Sequence, residues 1–192
     1  GGKKQSIALA ISADGKTIVG HSSSENGTEA FTWSNGRISG LGSLGGERYV
    51  SRAFAVSADG KVIVGDSISP NGPEAFRWTK ETGMQGLGEM PGGEFQSKAD
   101  GVSADGETIV GTATGVNGSE AFVWTAKSGL RSLEQLLKQQ GLIEGWHLQE
   151  ACCISGDATR IVGIGLNPKG ESAGRIVTLH RTANLRWNDA NS

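Results

Sequence analysis

The sequence predicts an all-β fold: a propeller, or propeller-like ring, of four repeats of roughly 45 residues and four short strands each, with a short helix between repeats three and four. Three observations predict it. Four ten-residue stretches match one another: ISADGKTIVG from residue 11, VSADGKVIVG from 56, VSADGETIVG from 102 and ISGDATRIVG from 154. A second block follows the first three copies at a fixed distance: NGTEAFTW (26–33), NGPEAFRW (71–78) and NGSEAFVW (117–124). Thirty-one of the 192 residues are glycine and only four are proline, a composition for many short strands joined by tight turns.

Each element can be justified in chain order. The first strand of a repeat carries small side chains at alternate positions: Ala8 and Ala10, Ala53 and Ala55, Ala99 and Gly101, Ala151 and Cys153. Such a strand is expected to face a crowded axis. In the second repeat the four strands are predicted over Arg52–Ser57, Lys61–Ser67, Pro73–Thr79 and Gly83–Gly88. Asp59-Gly60 reads as a two-residue type I′ hairpin, whose two centres need positive φ. Phe76 and Trp78 alternate and so share one face of the third strand. Gly20, Gly65, Gly111 and Gly163 mark close approach of backbone. The stretch SLEQLLKQQG (132–141) predicts the helix, with Ser132 and Gln135 as a capping box and Gly141 as the stop. The fourth copy keeps the frame but has Ile176 for the tryptophan and Gly174 for the phenylalanine, as a terminal repeat would. The polar tail after His180, with Leu185 and Trp187, supplies a closing strand or frays. One repeat domain is expected over 6–188, divided near 6–49, 50–95, 96–146 and 147–188. Residues 1–5 read as an N-terminal extension or expression remnant, and 189–192 as a tail.

Composition excludes some partners. No stretch of about 18 apolar residues is present, so no segment spans a membrane as a helix. Eighteen basic against twenty acidic residues, without charge blocks, argue against a nucleic-acid surface. Cys152 and Cys153 are neighbours; they read as two small fillers, with a strained vicinal disulfide as the alternative.

Candidate chemistry is sparse. The Ser-Ala-Asp-Gly block reads as a turn held by side-chain acceptors rather than a calcium loop. Glu29, Glu74 and Glu120 recur in register and so read as structural partners, since catalysis needs an asymmetric constellation. His21, His147 and His180 stand in no catalytic motif. Trp33, Trp78 and Trp124 read as packing between blades. No catalytic residue, metal ligand or cofactor is expected. The best binding candidates lie in non-repeated sequence: Arg48, Tyr49 and Arg52, because Arg and Tyr are favoured at interfaces.

The pattern Val/Ile-Ser-Ala-Asp-Gly, Ile-Val-Gly, Ala-Phe-x-Trp (Ala30–Trp33, Ala75–Trp78, Ala121–Trp124) and Leu-Gly (Leu41-Gly42, Leu87-Gly88) resembles the bacterial HAF repeats, also called probable extracellular repeats. The resemblance covers most of residues 6–179. One departure is that glutamate stands at 29, 74 and 120 in place of the histidine of the family name. The resemblance implies an extracellular or bacterial cell-surface module without enzymatic activity, in an adhesin- or autotransporter-like setting. The expected function is non-catalytic binding of a protein or glycan, with dimerisation open. The alternatives are a purely structural spacer and a glycan-processing enzyme of propeller type.

Overall fold

The computed structural model describes residues 5–178. Four successive sheets follow the chain. The first unit holds β1 (Ser6–Ile11), β2 (Ile18–Ser23), β3 (Gly27–Ser34) and β4 (Arg37–Gly40). The second holds β5 (Tyr49–Val56), β6 (Ile63–Ser69), β7 (Gly72–Thr79) and β8 (Gly83–Gly86). The third holds β9 (Ser97–Val102), β10 (Thr108–Gly115), β11 (Gly118–Thr125) and β12 (Gly129–Ser132), and runs straight into α1 (Leu133–Gln139). The fourth shows β13 (His147–Ile154), β14 (Arg160–Leu166) and β15 (Ser172–Thr178). Within each unit neighbours pair antiparallel in sequence order, and a short parallel bridge from Gly27–Thr28 to Tyr49–Val50 joins the first two. The segment with Leu185 and Trp187, the 189–192 tail and His180 lie outside the described residues.

The register explains the repeated glycines. Gly20, Gly65 and Gly111 each stand opposite the phenylalanine of the next strand. On the other side, the first strand slips by one residue, leaving Leu9, Phe54, Asp100 and Cys152 as unpaired bulge residues. The bulge drives a carbonyl into the second strand. A Cβ on Gly65 would lie 1.8 Å from Arg52 O, and one on Gly163 would lie 1.9 Å from Glu150 O. Only glycine fits there.

The Ser-Ala-Asp-Gly turn forms as a side-chain-supported loop. The Ser57 hydroxyl donates to Asp59 Oδ1 at 2.7 Å, Asp59 Oδ1 accepts from the Lys61 N–H at 3.0 Å, and Ser57 Oγ accepts from the Val62 N–H at 3.0 Å. The turn is not the two-residue type I′ expected. Gly60 N–H bonds back to Ser57 O, and only Gly60 of the pair has positive φ. This is a type I turn closed by a left-handed glycine. The type I′ pair is Asn35-Gly36, between β3 and β4, where both φ are positive.

Successive units are linked at these turns. Ala13 N–H donates to Ala58 O at 3.1 Å, Ala58 N–H to Ala104 O at 3.0 Å, and Ala104 N–H to Gly156 O at 2.9 Å. Between the units lie three apolar cores. Val19, Ala30, Leu41, Ala53, Ile63 and Phe76 bind the first unit to the second; Val64, Ala75, Leu87, Ile109 and Phe122 bind the second to the third. Val110, Val123, Leu133, Leu137, Leu148 and Ile161 bind the third to the fourth, with α1 as part of the seal. Here an expectation is corrected. The small residues Ala53, Ala99 and Ala151 do not face the axis; they are buried in these cores, where neighbouring sheets meet. The residues just before them, Arg52, Lys98 and Glu150, face away from the cores and line a cleft.

A closed ring is also not what forms among the described residues. The first and fourth units share no strand pairing and no apolar core. The described residues form an open, propeller-like arc with SIALAIS and LQEACCIS in sheets at its two ends.

Candidate functional site

The alternation of the first strands sets up the site. Strand residues point to opposite faces in turn, so burying Ala53, Ala99 and Ala151 presents the preceding residues Arg52, Lys98 and Glu150 on the other face. A cleft of about 640 Å³ opens here, across the second, third and fourth units, lined among others by Arg48, Arg52, Asp66, Gln96, Lys98 and Glu150.

Its charges are largely paired. Arg52 Nε donates to Asp66 Oδ1 at 2.9 Å, and the hydrogen bond to Asp66 raises the guanidinium pKa further. Lys98 Nζ lies 2.9 Å from Asp100 Oδ1. Burial lifts the Asp100 carboxyl above its ordinary range despite Lys98, and the nearby Glu150 and Asp66 add to the rise. The same negative surroundings hold Lys98 protonated: burial opposes its charge, but the bond to Asp100 and the field of Glu150 outweigh that. Phe54 sits between the two cations, 5.7 Å from Arg52 Cζ and 5.7 Å from Lys98 Nζ, a cation–π contact on a bulge residue.

The predicted binding residues separate. Arg48 is exposed on the rim of the cleft. Arg52 lines it as the partner of Asp66. Tyr49 turns away: its hydroxyl donates to Glu29 Oε1 at 3.0 Å, and Glu29 in turn accepts from the Gly42 N–H. Burial, then Glu29, raises the Tyr49 phenol pKa. Lys98 closes the non-repeated stretch Glu94–Lys98 that corresponds to Glu47–Arg52 in the second repeat; Asp66, Asp100 and Glu150 were not singled out from the sequence. The signal was present: the residue seven before each turn aspartate is Ile7, Arg52, Lys98 and Glu150, a variable position followed in every repeat by alanine.

Other candidates are structural. Glu74 Oε1 accepts from the Gly88 N–H at 3.0 Å, as Glu29 does from Gly42. Trp78 and Trp124 pack against the inter-unit cores, whereas Trp33 is 37% exposed. His147 Nδ1 lies 2.9 Å from Glu134 Oε2. His21 has its Nδ1 buried without a partner, and burial lowers its pKa. Cys152 and Cys153 are both free thiols, and burial pushes the Cys152 thiol up, away from thiolate reactivity. Among the described residues no group of three His, Cys, Asp or Glu side chains is placed to hold a metal ion.

The sheets and their turn ladder define an all-β, propeller-like fold. Similar solved structures agree. The structure of a protein assigned as TolB from Agrobacterium tumefaciens is similar with a TM-score of 0.62 and 15% identity, over 91% of this chain and 58% of that one. TolB from Acinetobacter baumannii is similar with a TM-score of 0.56 and 15% identity, over 87% of this chain and 42% of that one. Both are β-propeller proteins, and the chain spans about half the length of each. No family model matches the chain, and no curated protein sequence does. No described helix is long and apolar enough to cross a membrane.

Proposed function

We propose that the chain is a non-catalytic binding module of the bacterial cell envelope or cell surface, which docks a protein partner in the cleft beside the first strands. The observation that carries this reading is the cleft itself. It is built from non-repeated charged residues of three units, on a scaffold whose repeated residues are engaged in packing and turns. Asp66 is bound to Arg52 and Lys98 to Asp100, and the cleft is lined by no cysteine or histidine among the described residues, so it presents no activated nucleophile beside a base. A protein partner suits it better than a glycan. The aromatic ring that a sugar would stack on, Phe54, is flanked by Arg52 and Lys98, and the Tyr49 hydroxyl is tied to Glu29. The envelope location rests on the resemblance to extracellular repeats and on the likeness of fold to the TolB proteins.

The test is site-specific photo-crosslinking in bacterial cells. A photoreactive residue at position 48 should give one discrete protein adduct, and one at Lys80, in the exposed β7–β8 turn, should not. Identical adducts at both positions, or none at 48, would sink the reading.

A second reading, a structural repeat module that associates through its ends, is favoured by one observation. The row Ile11, Trp33 and Ile38 on the outer face of the first unit is 58%, 37% and 61% exposed, and Val162 is exposed on the outer face of the fourth. These are the two halves of the interface already repeated between units, so a second copy can add head to tail. Light scattering over a range of concentrations tests it: a strictly monomeric protein at about 100 μM, a concentration at which micromolar association would show, rejects it.

A further inference from the structure

The third unit keeps the repeated glutamate but loses its partners. In the first two units the fourth strand ends in Gly-Leu-Gly: Gly40-Leu41-Gly42 and Gly86-Leu87-Gly88. The first glycine makes room for the carboxylate, since a Cβ on Gly40 or Gly86 would lie 2.3 or 2.0 Å from Oε1 of Glu29 or Glu74. The second glycine donates its N–H to that carboxylate, at 3.2 and 3.0 Å. In the third unit the same register positions read Ser132-Leu133-Glu134, with Ser132 opposite Phe122 as Gly40 is opposite Phe31. Ser132 caps α1, accepting from the Gln135 N–H, and the turn becomes a helix. Its side chain fills the space the glycine left open.

Glu120 has moved accordingly. It lies over Gly115, where a Cβ would stand 2.5 Å from Oε1. It is 6% exposed, and its carboxylate has no hydrogen-bond or ion-pair partner among the described residues. It lines a cavity of about 400 Å³, with Met90, Val116, Leu130, Leu136 and the amide of Gln139. Arg131 stands at the exposed rim and has interaction partners of its own. The carboxylate oxygens are not sealed off, since the one buried side-chain polar atom without a partner among the described residues is His21 Nδ1; they open into a cavity walled in part by apolar side chains. A ligand that brings donors and positive charge gives Glu120 the partner that the Gly42 and Gly88 N–H groups give Glu29 and Glu74.

We propose that this cavity binds an alkyl cation, a primary ammonium or guanidinium on an aliphatic stem, with Glu120 as its counter-ion. The stem lies along Met90, Val116 and Leu136, and the Gln139 carbonyl accepts a further N–H. The site is separate from the charged cleft, and its occupancy does not depend on the function proposed above. The cation has two sources, a lysine or arginine side chain of a partner or a free amine, and they share this chemistry.

Isothermal titration calorimetry with N-acetyl-lysine methylamide, agmatine and n-butylamine, against neutral N-acetyl-norleucine methylamide, tests it. The cations should bind and the neutral analogue should not. Tighter binding of the lysine derivative points to a side chain, and tighter binding of the two free amines to a metabolite. Glu120→Gln should weaken cation binding by about tenfold or more, the value of a charged hydrogen bond, and leave the thermal midpoint unchanged or higher. Glu74→Gln should do the reverse, lowering the midpoint and sparing the cation. No saturable binding of any cation up to about 10 mM, equal binding of the norleucine analogue, or an unaffected Glu120→Gln variant each overturns the proposal.

Discussion

The faces between units and the faces at the two ends carry the same sequence and have opposite fates. Val19, Val64 and Val110 occupy one position of the second strand in the first three units, and each is fully buried under the next unit. Val162 holds that position in the fourth unit and is 37% exposed. On the opposite face, the row Val56, Ile63, Trp78 and Met84 packs into the first core. Its counterpart in the first unit, Ile11, Ile18, Trp33 and Ile38, aligned across the four strands, has no other unit packed over it among the described residues. The repeat motif therefore encodes an interface rather than a core. Each unit is stable in proportion to the neighbours it has, the quasi-one-dimensional behaviour of repeat proteins.

The largest effect expected from this comparison comes at the centre of a covered face. Phe76, fully buried between the first and second units, should cost about 3–5 kcal/mol when truncated to alanine. Urea unfolding measures it, and a loss below about 1 kcal/mol, the range of an ordinary surface change, would mean that the units do not pack as described. Sharper still is the matched pair. Val64→Ala deletes two buried methyl groups and should cost about 2 kcal/mol, whereas Val162→Ala should stay within about 0.5 kcal/mol. Equal losses would show that the end face is covered in solution, and the concentration dependence of the Val162 value would say whether a second copy covers it.

The smallest effect is in the turns that join the units. The Ser57 hydroxyl, then the Lys61 N–H, holds the Asp59 carboxyl below its ordinary value of 3.8. The Ser12 hydroxyl does the same for Asp14 at the end of the ladder. A carboxyl with a lower pKa folded than unfolded adds stability that is present above the unfolded value and is lost as pH falls through the folded one. Asp59→Asn should therefore be less stable than the parent at pH 6, and the gap should close below pH 3.8. The side chain is mostly solvated, so the gap is a few tenths of a kcal/mol. Urea midpoints measured between pH 6 and acid would show it, and a gap that widens in acid contradicts the turn geometry.

Much of the fold was legible because it is local. The ten-residue block specifies strand, turn and strand through alternation and through the serine and aspartate that satisfy the turn backbone. The helix was legible too, from Ser132, the spaced leucines and Gly141. The turn type was misread because Asp-Gly suits two geometries. The loop between Val56 and Ile63 is long enough for a type I turn, and Ser57 pins it there. The facing of the small residues was misread for a different reason: crowding at alternate positions says that something is close, but not whether it is the axis or the next sheet. The site was half legible. Arg48 and Arg52 stood out as residue types and Lys98 through its place in the non-repeated stretch of the third repeat, while Glu150 becomes visible only when all four repeats are laid over one another.

By itself, then, the sequence determined the unit: its length, its strand register, its turns, the glycine opposite each bulge and the glutamate that braces each Leu-Gly corner. Those depend on contacts within some twenty residues, and the pattern repeats because the contacts do. Tertiary structure alone decided which faces are covered, which charges meet across units, and that Glu120 is left without a partner among the described residues. Each of these depends on what lies beside a unit rather than within it. A motif repeated without change cannot distinguish a middle unit from an end one, nor a corner made by Gly-Leu-Gly from one converted to a helix by Ser-Leu-Glu.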